Sequence, residues 1–136
     1  MTALTADRNT PKKDAELLGF LVAANAKIFA GALVVANATG YAAPGSVATT
    51  LTALGRAESL VDNTGGADGA KTVQVARQKA FKFVNHGADL VTQADVGKNC
   101  YIVDDQTVAK TNGGATRSIA GKVLAVEADG VWVFIE

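Results

Sequence analysis

The stretch Val123-Leu-Ala-Val-Glu-Ala-Asp129-Gly130-Val-Trp-Val-Phe-Ile135 carries two runs of β-forming residues on either side of an Asp-Gly pair. Aspartate followed by glycine supplies the positive φ angles of a two-residue hairpin turn, so the stretch predicts an antiparallel hairpin. In its second run Val131, Val133 and Ile135 fall on one face and Trp132 and Phe134 on the other, because successive side chains of a strand point to opposite sides. Large apolar groups on both faces require cover on both. One face meets the domain interior. The other is left for a loop, for the first residues of the chain, or for a neighbouring subunit.

Two further stretches share this outline of glycine, strand, polar turn and strand: Gly31-Ala-Leu-Val-Val-Ala-Asn-Ala-Thr-Gly-Tyr41 and Gly97-Lys-Asn-Cys-Tyr-Ile-Val-Asp-Asp-Gln-Thr-Val108. Their irregular spacing marks a reused hairpin and not a solenoid repeat. Short apolar runs bounded by turn residues continue the pattern at Leu17–Ala23, Lys27–Phe29, Ala32–Ala36, Leu51–Val61, Thr72–Ala76, Ala80–Val84, Cys100–Val103, Thr107–Lys110, Ile119–Val126 and Val131–Ile135. Runs this short and frequent predict an all-β barrel or sandwich. Helix is expected only as one turn at Thr92–Asp95, where Thr92 caps, Asp95 reaches back and Gly97 ends the turn. Residues 1–15 (MTALTADRNTPKKDA) have no apolar period and contain Pro11, so an extended arm is expected ahead of a single β-domain over residues 16–136. Fully stretched, such an arm reaches roughly 45 Å.

Apolar residues make up 49% of the chain and charged residues 19%, which excludes disorder, while 26 alanines against eight aromatics imply a core of small side chains. Thirteen Lys and Arg balance thirteen Asp and Glu, so no net field draws in nucleic acid, an anionic membrane or an acidic substrate. Neither nucleic acid nor membrane is therefore an expected partner. The one cysteine, Cys100, cannot form a disulfide within the chain or supply a cysteine-based zinc clip, which fits a reducing compartment. The opening residues mix Asp7, Arg8, Lys12, Lys13, Asp14 and Glu16 where a secretion signal needs a basic start and then an apolar run. Without such a signal, the sequon Asn37-Ala38-Thr39 reads as a chance match. Ile28–Ala36, the most apolar stretch, is about half as long as a bilayer-spanning helix.

Candidate chemistry has a structural explanation at each position. Gly65-Gly-Ala-Asp-Gly-Ala-Lys71-Thr72 shares the outline of a phosphate-binding loop, yet Ala70 replaces the glycine before the lysine. Val73-Gln-Val-Ala76 then reads as strand where a phosphate loop needs a helix N-terminus. The adjacent carboxylates Asp104 and Asp105, and the near pair Glu127 and Asp129, sit in expected turns, which aspartate favours through bonds to its own backbone. His86 has no second histidine or nucleophile at motif spacing, and Cys100 opens an apolar strand, where cysteine behaves as a small hydrophobe. Lys71, Arg77, Lys79 and Lys82 form the one charge bias, interleaved near its end with Phe81 and Phe83. Stacking rings among cations suit single-stranded nucleic acid, but Phe81 and Phe83 share parity with a core face, which leaves the cations as a solvated face or a docking patch. No catalytic residue, cofactor or metal is expected.

The strings Met1-Thr-Ala-Leu-Thr-Ala-Asp-Arg-Asn-Thr-Pro11, Gly55-Arg-Ala-Glu58, Val61-Asp-Asn-Thr-Gly-Gly-Ala-Asp-Gly69 and Asp95-Val-Gly-Lys-Asn-Cys-Tyr-Ile-Val-Asp-Asp-Gln-Thr-Val108 carry a resemblance over nearly the whole chain. They resemble the capsid cement, or decoration, proteins of tailed bacteriophages, encoded beside major capsid genes, and are similar to those of short-tailed phages of Bordetella and related bacteria. The resemblance implies a jellyroll-like domain made in the bacterial host cytoplasm and carried on the outer capsid surface of the virion. Its implied partners are the major capsid protein and itself, as a homodimer in preference to a trimer. It brings no catalytic, cofactor-binding or metal-binding residue. Together with the residue pattern it makes Arg8, Pro11, Lys12 and Lys13 of the arm, and Trp132 and Phe134 of the last strand, the expected protein contacts. The alternative is a ligand- or carbohydrate-binding barrel on the virion surface, with Tyr41, Tyr101 and Trp132 as its aromatic platforms.

Overall fold

In the computed structural model, which describes residues 2–136, the chain is all-β apart from one 3-10 turn at Gln93–Asp95. The first half holds β1 (Leu17–Leu21), β2 (Lys27–Ile28), β3 (Leu33–Ala36), β4 (Ala42–Pro44), β5 (Thr52–Ala57), β6 (Val61–Asp62) and β7 (Thr72–Ala76). The second half holds β8 (Lys79–Asn85), β9 (Asn99–Ile102), β10 (Thr107–Ala109), β11 (Ile119–Glu127) and β12 (Gly130–Ile135). Every expected apolar run contains a strand. The run Leu51–Val61 divides, because the chain turns at Glu58–Leu60 between β5 and β6. Strand β4 is the second strand of the hairpin outlined by Gly31–Tyr41, but it begins at Ala42; Ala-Ala-Pro is a poor strand former, and pairing with β3 (Val34↔Pro44, Val35↔Ala43, Ala36↔Ala42) holds it extended.

The strands form two connected units. An antiparallel sheet has the order β1-β7-β5-β3-β4, and a parallel bridge from Val22 to Ala42 draws its two ends toward each other. The short β2–β6 ribbon lies beside it. The remaining strands close into a barrel of order β10-β8-β12-β11-β9, sealed by a parallel pairing of β8 with β10. The chain passes from sheet to barrel through Arg77 and Gln78 alone, with Gln78 at φ +59° to make the bend. Arg77 fixes this junction: its Nε donates to the Leu54 carbonyl at 3.1 Å and its Nη2 to the Glu136 carbonyl at 3.0 Å.

Each unit has a core, and the sheet belongs to both. Val34, Leu54, Val73 and Val75 pack with Val22 and Ile28 on one side. Leu33, Val35 and Ala76 point the other way and join Phe81, Phe83, Cys100, Ile102, Val108, Val123, Val131, Val133 and Ile135 inside the barrel. Strand β3 is thus a continuous apolar run because both its faces are buried. The rings of Phe81 and Phe83 stand 6.5 Å apart and tilted by 53°, in the range for a favourable aromatic pair.

The β11–β12 hairpin forms as expected, with one correction. Glu127 pairs with Gly130, so Ala128 and Asp129 make the turn, and none of Ala128, Asp129 or Gly130 has a positive φ. Glycine stands at 130 for room: a Cβ there would lie 2.7 Å from the Phe83 carbonyl oxygen. The turn at Thr92–Asp95 forms as a 3-10 turn followed by Gly97 at φ +86°, but the hydroxyl of Thr92 donates to Asp95 at 3.0 Å while Asp95 also accepts the Thr92 amide at 2.7 Å.

Gly55 is the tightest point of the sheet. Its φ is +152°, and a Cβ would stand 2.0 Å from the Ala76 carbonyl oxygen, where β5 crosses to pair with β7. Gly55→Ala is expected to cost roughly 2–4 kcal/mol in urea unfolding, whereas Gly87→Ala, in open space at ordinary φ, should stay within about 0.5 kcal/mol.

Candidate functional site

The outer face of the barrel carries two of the expected contact residues, Trp132 and Phe134, while Arg8, Pro11, Lys12 and Lys13 lie on the separate arm. On β12, Val131, Val133 and Ile135 are buried, whereas Trp132 and Phe134 are half-buried on the solvent side. The pairing sets Trp132 between Lys82 of β8 and Ala125 of β11, and Phe134 between Ala80 and Lys122. Val84 of β8, 48% exposed, extends the apolar surface on one flank. Leu124, 50% exposed, extends it on the other, since it alternates with buried Val123, and the bulge that follows brings Ala125 to the same face opposite Trp132.

Charges rim this surface and hold the indole. The Lys82 ammonium lies 5.7 Å from the centre of the Trp132 ring and 2.7 Å from Asp129 Oδ2, while the indole N–H donates to Glu127 Oε1. The Lys82–Asp129 bond lowers the Asp129 carboxyl below its ordinary value and raises the Lys82 ammonium above its own. An apolar centre with a charged rim is the anatomy of a protein-contact patch. Sequence reading found Trp132 and Phe134 from period-2 alternation. It did not single out Leu124, although alternation with Val123 places it on this face.

The arm begins beside this face. Residues 2–14 are exposed, including Arg8, Pro11, Lys12 and Lys13, and the arm's hydrogen bonds are internal: Arg8 Nη1 donates to Thr10 Oγ1 at 2.8 Å, and the Thr10 amide to the Arg8 carbonyl at 3.0 Å. At its root the Glu16 carbonyl accepts the Arg77 amide at 2.8 Å, and the Glu16 carboxylate meets Lys79 at 3.3 Å. Lys79 precedes Ala80, the neighbour of Phe134. The root of the arm and the apolar face are therefore one residue apart along β8, on side chains that alternate to opposite sides of the strand.

The other singled-out groups are engaged locally. Asp104 Oδ1 accepts the Gln106 amide at 2.9 Å, a turn-forming contact, and the Asp105 carbonyl accepts the Leu33 amide at 2.8 Å. His86 sits half-buried in the loop after β8, its amide bonded to the Val108 carbonyl at 2.9 Å. The glycine-rich loop is built around buried Asn63, whose Nδ2 donates to the carbonyls of Ala23 and Ala67, and strand β7 follows it. Of the four clustered cations, Lys71 reaches the Asp62 carbonyl, Arg77 the junction, Lys79 Glu16 and Lys82 Asp129. Phe81 and Phe83 are core. Tyr41 sits by Gly69, Tyr101 on β9 and Trp132 on β12, so the three aromatic candidates do not converge. Among the described residues no group of three His, Cys, Asp or Glu side chains is placed to hold a metal ion.

One ionic cluster eluded the sequence. Asp89 Oδ2 accepts from Thr111 Oγ1 at 2.6 Å, the Thr111 amide at 3.0 Å and Arg117 Nη1 at 2.9 Å, tying together the loops after β8 and β10. Only the fold brings these residues together across more than twenty positions of sequence. The Thr111 hydroxyl above all, then its amide and the Arg117 guanidinium, hold the Asp89 carboxyl below the ordinary 3.8.

Two outcomes follow. A carboxyl whose folded pKa is depressed stabilises the fold above its unfolded value and loses that contribution as pH falls through the folded value. Asp89→Ala should thus cost roughly 1–3 kcal/mol at neutral pH, and its deficit against the wild type should shrink below about pH 4 in urea titrations. Burial pushes the Cys100 thiol up to about 12, so at pH 8 it should resist iodoacetamide while folded and react once the protein is unfolded by guanidinium.

No family model, no curated protein and no solved structure matches the chain.

Proposed function

We propose that this chain is a structural accessory of a tailed-phage head, a cement subunit that binds the outer surface of the shell and clamps neighbouring major capsid subunits. The observation that carries the reading is the presence in one small domain of an exposed, extended arm and of an apolar, charge-rimmed strand face. The family resemblance of the sequence strings supports it independently. In this reading the subunit works as a homodimer on the virion. The face around Trp132 and Phe134 seats on a protein surface, and Arg8, Pro11, Lys12 and Lys13 lie along an adjacent subunit.

Clamping needs no catalytic group. A subunit that binds only the assembled shell adds free energy at every occupied site by mass action. The closed barrel supplies a rigid base, and the arm extends reach at the cost of about 1–2 kcal/mol per backbone residue ordered, which capsid contacts must offset. The non-enzymatic reading is supported by the local roles of Asp104, His86 and Asp129 and by the burial of Cys100.

Co-pelleting with purified expanded head shells tests the proposal. The full chain should co-pellet; a variant lacking residues 2–14 should melt at the same temperature and bind at least about tenfold more weakly. Equal binding by the shortened chain would refute the arm's role. Trp132→Ala should lower stability by no more than about 1–2 kcal/mol, because the ring is only half-buried, and should weaken shell binding by a larger factor. A loss confined to stability would place Trp132 in the fold and not in the contact.

A further inference from the structure

Charges on the barrel are not evenly committed. Lys82 is held by Asp129, Arg117 by Asp89, and Glu127 accepts the Trp132 indole. Among the described residues Lys98, Lys110 and Lys122 make no ion pair and no side-chain hydrogen bond. These three stand together: Lys98 precedes β9, Lys110 follows β10, and Lys122 lies opposite Asn99 in the pairing of β11 with β9. The carboxylates of Asp104 and Asp105 are at the closed end of the β9–β10 hairpin, away from them.

An open cleft of about 480 Å³ lies between Lys98 and Lys110, walled also by Asn99, Tyr101 and Asn112. The one carboxylate in its lining, Asp95, is buried and already accepts the amide and the hydroxyl of Thr92. Two ammonium groups against one committed carboxylate leave the cleft positive, and Lys122 adds to it. Glu136 lines the neighbouring cavity, which shares Tyr101 and Asn112 with this one.

This cleft borders the apolar face. Asn99 pairs with Lys122 and Lys122 with Phe134, so it opens two strand spacings, roughly 10 Å, from Phe134 across the outer surface of the barrel. An apolar patch whose uncommitted border charge has a single sign is complementary to an apolar patch bordered by the opposite sign. We infer that the partner seated on the Trp132 face is a protein surface with acidic side chains beside its apolar groups, and that one of its carboxylates enters the cleft between Lys98 and Lys110. Nucleic acid would supply the negative charge without the apolar patch, and the chain has no net positive charge to gather phosphates. The inference rests on the proposed use of the Trp132 face as a protein contact and adds the chemistry of what it meets.

Two measurements test it. In co-pelleting with head shells, Lys98→Glu/Lys110→Glu should bind about tenfold or more weakly, wild-type binding should fall as salt rises, and Lys27→Glu on the sheet unit should bind as the wild type does. Should the charge-reversed variant melt early, Lys98→Gln/Lys110→Gln takes its place with a smaller loss in the same direction. Without shells, polyglutamate added to the isotopically labelled full chain at low salt should move the amide signals of Lys98, Asn99, Lys110 and Lys122, and polylysine should not. Shell binding unchanged by loss of both lysine charges, or no response to polyglutamate at those residues, overturns the inference. Tighter binding there by a single-stranded oligonucleotide than by polyglutamate overturns it in favour of nucleic acid. If the unaltered protein leaves shells unbound while polyglutamate still moves those signals, the capsid reading falls and the surface for an acidic protein stands.

Discussion

Burial of strand β3 on both faces is the constraint on which the rest of the structure depends. Leu33 and Val35 enter the barrel core and Val34 enters the sheet core, so one four-residue strand belongs to two interiors. Each such side chain contributes about 1.5–3 kcal/mol by leaving water, and the share of Leu33 and Val35 is gained only when the barrel packs on the sheet. Two small β-units that would each be marginal alone thereby become one cooperative body. The cores are built mainly of valine, isoleucine, leucine and phenylalanine, and only seven of the 26 alanines are buried, so the alanine content does not make this the core of small side chains that composition suggested. Gly55 and Gly121 let backbones pass where a Cβ would stand 2.0 and 2.2 Å from a carbonyl oxygen.

A body held together this way has little interior left for chemistry. Buried polar groups such as Asn63, Asp95 and Ser118 are spent on turns and loop anchors, and among the described residues no buried side-chain nitrogen or oxygen lacks a partner. What remains uncommitted lies outside: the arm and the face of β12. These are the surfaces that the proposed capsid-binding role would use.

Much of the fold was legible because strand period and turn residues are local. Alternation alone separated Val131, Val133 and Ile135 from Trp132 and Phe134, and the barrel then decided that the first set is the core. Other features are set by tertiary context. The β11–β12 turn moved by one residue because Gly130 is required by the backbone of β8 beside it. Strand β4, poor in strand formers, is held extended by the edge of β3. A bulge sets Ala125 opposite Trp132 and turns Val126 inward, and Asp89, Thr111 and Arg117 meet only after the loops after β8 and β10 close on one another. Of the candidate site, the residues with a strand signature could be found in advance, and those positioned by an irregularity could not.

The measurement that bears most directly on the account is a cryo-electron density map of phage heads that carry this protein. The account predicts a small all-β density on the outside of the shell, touching more than one major capsid subunit, with residues 2–14 traced as an extended chain along a neighbour. Heads in which the protein is absent from the outer surface, or sits on a single capsid subunit with its arm unengaged, would contradict it.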